Sequence, residues 1–129
     1  MSAAPVLNIT MPVFNRLDLT QRALLALKDS SRELPFSVTV VDNGSEAELV
    51  RRLVQLKKEG VIDKLFLLPR NYGISCACNI GWQMTGAPFY MKMDNDVVVN
   101  RPDWLPRLFA LWKHVQPLST LGGPPSWAD

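Results

Sequence analysis

Short apolar blocks alternate along this chain with polar, turn-forming stretches, and the blocks switch between strand-like and helix-like periods. Val6–Thr10 predicts a first strand that enters a loop at Met11-Pro12. Asp18 and Gln21 have capping-box spacing and predict a helix from about Leu19 to Lys28. Phe36–Val41 is rich in β-branched residues, ends at Asp42 and predicts a second strand. Ser45 and Glu48 repeat the capping-box spacing; Leu49, Leu53 and Leu56 then share one helical face, and Gly60 ends the helix. Lys64–Leu68 predicts a third strand, closed by Pro69. Ile74–Met84 reads as a helix whose Ala77 and Gly81 allow close packing, and Phe89–Met93 as a fourth strand. Asn100 is a cap for a helix that begins near Pro102, with Leu105, Leu108, Phe109 and Trp112 as its inward stripe. Pro106 falls early enough in that helix to be tolerated, and Leu118–Gly122 begins a fifth strand.

The alternation β-α-β-α-β-α-β-α predicts the α/β class, with a largely parallel sheet and helices on both faces. Right-handed crossovers follow from the twist of the strands. Neither a repeat nor a linker interrupts the pattern, so residues 1–129 are expected to form a single domain.

Composition narrows the picture. The 129 residues are enough for one core, and a 47% hydrophobic fraction is that of an ordinary globular chain. A net charge of +2 gives no argument for nucleic acid; Arg51, Arg52, Lys57 and Lys58 read as a solvated helix face. Cys76 and Cys78 lie too close together for a disulfide framework, and with His114 they make no zinc site. The sequence shows neither a secretory signal nor a run long enough to span a membrane, and a cytoplasmic location is the expectation.

The candidate chemistry sits where strands end. Asp94-Asn95-Asp96 follows the fourth apolar run and supplies the oxygen ligands that a hard cation takes. Asp42-Asn43-Gly44-Ser45 follows the second; it also reads as a turn and helix cap. In an open α/β sheet, ligands sit outside the carboxyl ends of the strands, so the two carboxylate groups together suggest a nucleotide–metal site. The first loop, Met11–Leu17, has no glycine, which excludes a Rossmann dinucleotide fingerprint, and no Gly-Lys-Ser/Thr occurs there for a P-loop.

Five segments in order carry a resemblance: Thr10-Met11-Pro12-Val13-Phe14-Asn15-Arg16, Val40–Ser45, Asn71-Tyr72-Gly73 with Asn79 and Gly81, Met93-Asp94-Asn95-Asp96, and Pro102-Asp103-Trp104-Leu105. Together they resemble the N-terminal, nucleotide-binding half of a family 2 glycosyltransferase with the GT-A fold, over about Leu7 to Gly123. The resemblance implies that Pro12, Phe14, Asn15 and Arg16 lie against nucleobase and ribose, and that Asp42 hydrogen-bonds the uracil or ribose. It implies ligand contacts for Asn71, Gly73 and Asn79. It gives Asp94 to ribose and metal, and makes Asp96 the first choice as ligand of Mn²⁺ or Mg²⁺. The implied partner is a nucleotide-sugar, with UDP-sugars favoured, and the implied reaction is inverting transfer to an acceptor hydroxyl.

In the family, the general base and acceptor segment lie well downstream of the acidic motif, whereas about thirty residues follow Asp96 here. The expectation is therefore a truncated, Rossmann-like GT-A half with no general base found. Two other readings stay open, a catalytically incomplete nucleotide-binding module and a metal-dependent nucleotidyltransferase. An uncovered sheet edge would also admit a homodimer.

Overall fold

The computed structural model describes residues 4–114. Eight elements follow in strict alternation: β1 (Leu7–Val13), α1 (Leu17–Lys28), β2 (Phe36–Asp42), α2 (Ala47–Lys58), β3 (Lys64–Leu67), α3 (Ile74–Gln83), β4 (Phe89–Lys92) and α4 (Trp104–His114). The four strands are all parallel and lie in the order β3-β2-β1-β4. The chain starts in mid-sheet, steps outward twice, then crosses back to the far side of β1. The expected fifth strand at Leu118–Gly122 lies outside the described residues.

The two sheet faces differ in chemistry. Ile9 and Met11 of β1 and Val38 and Val40 of β2 are fully buried and form one core with Leu24 and Leu27 of α1, Leu53 and Leu56 of α2, and Leu105 of α4. On the opposite face Asn8, Thr10 and Thr39 are fully buried. Asn8 Nδ2 donates to Ser37 Oγ at 3.0 Å and Thr39 Oγ1 at 2.9 Å, while Thr10 Oγ1 donates to Asn8 Oδ1 at 2.7 Å. This network satisfies polar groups that would otherwise cost free energy in the interior. α3 covers it, and Gly81 permits the approach, since a Cβ there would collide with the Thr10 side chain. Helices therefore lie on both faces, as the alternation predicts.

β1 runs three residues further than its apolar block, to Val13. Pro12 is compatible with this because of where β4 stops. Met93 N–H donates to Thr10 O at 3.0 Å, and Thr10 is the last β1 residue paired with β4. Pro12, two residues on, faces the same side, where no strand among the described residues requires its missing N–H.

α1 begins at Leu17, so Asp18 lies inside its first turn and the expected Asp18–Gln21 capping box does not form; Arg16 occupies the N-cap position without a side-chain cap bond. Asp18 instead places negative charge beside the positive end of the helix. The second expected box, Ser45–Glu48, is also absent, since the N-cap of α2 is Glu46. α4 starts at Trp104, two residues after Pro102. Its aromatic face closes the β4 side of the core: Phe89 packs edge-on against Phe109 and Trp112, and Trp104 against Phe36. Among the described residues, no helix is long and apolar enough to cross a membrane.

Candidate functional site

Parallel strands bring four loops to one end of the sheet, and hydrogen bonds tie these loops into one unit. The first loop follows β1. Asn15 and Arg16 both adopt left-handed backbone, with φ of 56° and 63°. Asparagine tolerates this region, while arginine pays roughly 1–2 kcal/mol to enter it. Neighbouring loops hold the strained pair. Asn15 N–H donates to Ser45 Oγ at 2.8 Å, and Glu46 N–H donates to Asn15 Oδ1 at 3.0 Å. Ser45 therefore joins two loops instead of capping a helix.

The second loop carries the most informative side chain. Asp42 is 1% exposed. Its Oδ2 accepts the Ser45 N–H at 3.1 Å, while its Oδ1 is buried without a hydrogen-bond partner among the described residues. An unmet acceptor of this kind costs about 1–3 kcal/mol, and more when it carries charge. The adjacent Asn43 is an organiser. Its backbone N–H donates to Val13 O at 2.7 Å, its Oδ1 accepts from Tyr72 N–H at 3.3 Å, and its Nδ2 donates to Gly73 O at 3.3 Å.

The third loop, after β3, is thereby drawn over the second. Asn71 Oδ1 accepts the Gly73 N–H at 2.8 Å, so Asn71 shapes its own loop. Arg70 was not among the sequence candidates, yet its backbone packs on Gly44 and its guanidinium lies 5.0 Å from the Tyr72 ring centroid. The signal that could have found it is a cation on a tight loop at a strand's carboxyl end. Phe14 and Tyr72 are both about half exposed beside this cluster, at 47% and 45%.

The fourth loop is the acidic triplet. Val97 N–H donates to Asp94 O at 3.2 Å, which closes a turn with Asn95 and Asp96 at its centre. Both carboxylates are exposed. Asp94 Oδ1 lies 2.8 Å from Lys92 Nζ, with the two side chains 54% and 37% exposed. A pair this open contributes about 0–1 kcal/mol, so a divalent ion can displace the ammonium. Among the described residues no three His, Cys, Asp or Glu side chains converge as a complete metal cage. Mg²⁺-type sites do not need one, because one or two carboxylates plus ligand phosphates and water complete the shell. The donor chemistry of Asp94 and Asp96 fits a cation shared with a phosphate ligand.

The structure thus gathers Pro12, Asn15, Arg16, Asp42, Asn71, Gly73, Asp94 and Asp96 at the carboxyl end of the sheet. Asn79 stands apart: it is exposed, one and a half turns into α3, and among the described residues no hydrogen bond joins it to these loops.

Comparison with known proteins bears on the family and the fold. The family profile described as Glycosyl transferase family 2 matches residues 8–126. No curated protein matches the chain. Among solved structures, S. aureus TarS 1-349 in complex with UDP superposes with a TM-score of 0.70 at 19% identity, over 84% of this chain and 32% of that one. The mannosyltransferase PcManGT from Pyrobaculum calidifontis, in complex with GDP-Man and Mn²⁺, gives 0.67 at 20% identity, over 90% of this chain and 34% of that one. These likenesses establish the fold, and the chain spans about a third of the length of either relative.

Proposed function

The chain belongs to glycosyl transferase family 2, and from that premise we propose that residues 1–129 form a nucleotide-sugar-binding domain for inverting transfer of the sugar to an acceptor hydroxyl. The observation that carries the reading is Asp42 Oδ1, a carboxylate oxygen at the carboxyl end of β2 that is buried and, among the described residues, unpartnered. A nucleobase imide N–H or a ribose hydroxyl is a donor of the right kind for it. Because Oδ1 is sealed from solvent, an arriving ligand must part the surrounding loop side chains. Pro12, Phe14, Asn15 and Arg16 then flank the nucleoside from the first loop, and Asn71 and Gly73 from the third.

Asp94 and Asp96 face solvent and would hold a divalent cation on the diphosphate side, with Asp96 as the principal ligand and Asp94 already paired with Lys92. What Mn²⁺ or Mg²⁺ supplies when bound is neutralisation of charge on the departing diphosphate. The attacking hydroxyl also needs a base within hydrogen-bond reach. None of the strand-end carboxylates is assigned that role: Asp42 is locked among the loops, and Asp94 and Asp96 serve the cation. UDP is the favoured nucleotide, after the UDP complex of the similar TarS fold. The edges of β3 and β4, unpaired among the described residues, extend the proposal to a homodimer, which sedimentation of the chain checks.

Calorimetry with UDP, GDP and dTDP, each with and without Mn²⁺ or Mg²⁺, tests the reading. Binding of at least one nucleotide, strengthened by metal, is the expected result. Absence of heat from all three at millimolar ligand would sink it.

A further inference from the structure

The middle residue of the acidic triplet is an amide, and it reaches away from the carboxylates. Asn95 Nδ2 donates to Thr20 Oγ1 at 2.9 Å and to Asn15 O at 3.3 Å, across 75 and 80 residues of sequence. Thr20 is fully buried, and its own hydroxyl donates to Arg16 O at 2.8 Å. One continuous chain of donors therefore runs from Asn95 through Thr20 to Arg16. It ends on the two residues whose backbone is left-handed.

Strained backbone of this kind persists only where surrounding contacts over-determine it. Asn15 is held on one side by Ser45 and Glu46 and on the other by Asn95. In its own loop, Asn95 follows Asp94 in the turn closed by Val97, with Asp96 next to it. Fixing this one side chain fixes the direction in which both carboxylates leave the turn. It also fixes the first loop against which those carboxylates work.

We propose that Asn95 is a positioning residue that couples the acidic triplet to the Asn15–Arg16 turn through Thr20, so that cation at the triplet and nucleoside at the first loop bind cooperatively. The inference rests on the nucleotide reading of the preceding subsection. Its physical content is a shared restraint: a ligand that orders either loop removes part of the ordering cost for the other.

Two measurements on the full chain test it, amide hydrogen exchange without ligand and calorimetry with UDP in the presence and absence of Mn²⁺. In Asn95→Ala and in Thr20→Val, exchange at the Thr20 N–H, which donates to Arg16 O at 3.0 Å, is expected to quicken. The factor by which Mn²⁺ strengthens UDP binding is expected to fall about three- to tenfold, the worth of one net hydrogen bond. Because both changes cut the same chain of donors, the double variant should fall no further than either single one. Thr20→Ser keeps the hydroxyl and should hold both readouts at the wild-type level, a rescue that a purely volume-filling role for Thr20 would not give. An unchanged Mn²⁺ factor in Asn95→Ala, or losses that multiply in the double variant, would overturn the proposal and leave the nucleotide reading standing. A wild-type chain that takes up no UDP with or without Mn²⁺ would overturn both.

Discussion

Gly44 and Arg70 touch backbone to backbone: a Cβ placed on Gly44 would lie 2.5 Å from the Arg70 Cα. Gly44 also has φ of +80°, where a side chain is strained whatever the space. Both facts arise from one need, to fold the loop after β3 onto the loop that carries Asp42. Gly44→Ala is predicted to cost at least about 2 kcal/mol, combining left-handed strain with displaced backbone. Gly60→Ala is the control, because Gly60 shares the positive φ, at +83°, but nothing lies within 4 Å of its would-be Cβ. It should cost about 1 kcal/mol. Urea unfolding of the two variants measures the difference, and equal costs would show that the Arg70 contact is soft.

Asp42 offers a test in which stability and binding move apart. Asp42→Asn can still accept the Ser45 N–H, so the turn survives. It also replaces a buried, unpaired carboxylate oxygen with a neutral amide. The unfolding midpoint is predicted to hold or rise. Nucleotide affinity should fall by about 1.5–3 kcal/mol, roughly 10- to 150-fold, the worth of a hydrogen bond to a charged group. If Asp42 were only a turn residue, binding would stay at the wild-type level.

The ends of β2 and β4 were legible in the sequence, because the β-branched run Val38–Val41 stops at Asp42 and the apolar run Phe89–Met93 stops at Asp94. The local caps were not legible. Ser45 has every local feature of an N-cap, yet a tertiary partner, the Asn15 N–H, claims its oxygen. Left-handed backbone suits an asparagine such as Asn15, but nothing in the sequence marks Arg16 for it. Pro12 suggested a loop because the early end of β4 cannot be read from β1 itself. Within the triplet the carboxylates drew the reading, while the amide between them makes the contacts that span the loops. The expected grouping of Asn79 with the site came from the resemblance alone, and Asn79 lies one and a half turns into α3.

The two cysteines, two residues apart, are predicted to differ in reactivity. Cys78 is 4% exposed, and burial raises its thiol pKa, with smaller effects from Lys92, which lowers it, and Asp94, which raises it. A raised pKa leaves less thiolate at any pH below it, and the thiolate is the nucleophile. Cys76 is only partly buried. Iodoacetamide at pH 8 should therefore modify Cys76 in the native chain and reach Cys78 only as the protein unfolds. Mass spectrometry of the alkylated peptide, with and without urea, checks this. Equal labelling rates without urea would mean that α3 opens readily from the Thr10 face.

The division of labour between the two carboxylate sites is the sharpest test of the functional reading. Asp96 is exposed in the turn after β4, whereas Asp42 is buried at the end of β2. In the proposed reading the cation contacts Asp96 and the nucleoside contacts Asp42, so each mutation removes a different direct contact. Asp96→Ala is predicted to remove most of the affinity that Mn²⁺ adds, while metal-free nucleotide binding stays near the wild-type level. Asp42→Ala is predicted to weaken nucleotide binding by about 10- to 150-fold with or without metal, as expected for a lost charge-assisted hydrogen bond. Asp94→Ala should fall between them, because removing Asp94 also frees the Lys92 ammonium, which lies 2.8 Å from its carboxylate. A freed cation on β4 can attract the diphosphate directly and offset part of the loss. Calorimetric titration of UDP into each variant, at fixed Mn²⁺ and again with chelator, reads all three. Equal, metal-independent losses in Asp96→Ala and Asp42→Ala would mean that the triplet holds the nucleotide itself and that the cation has no place at Asp96.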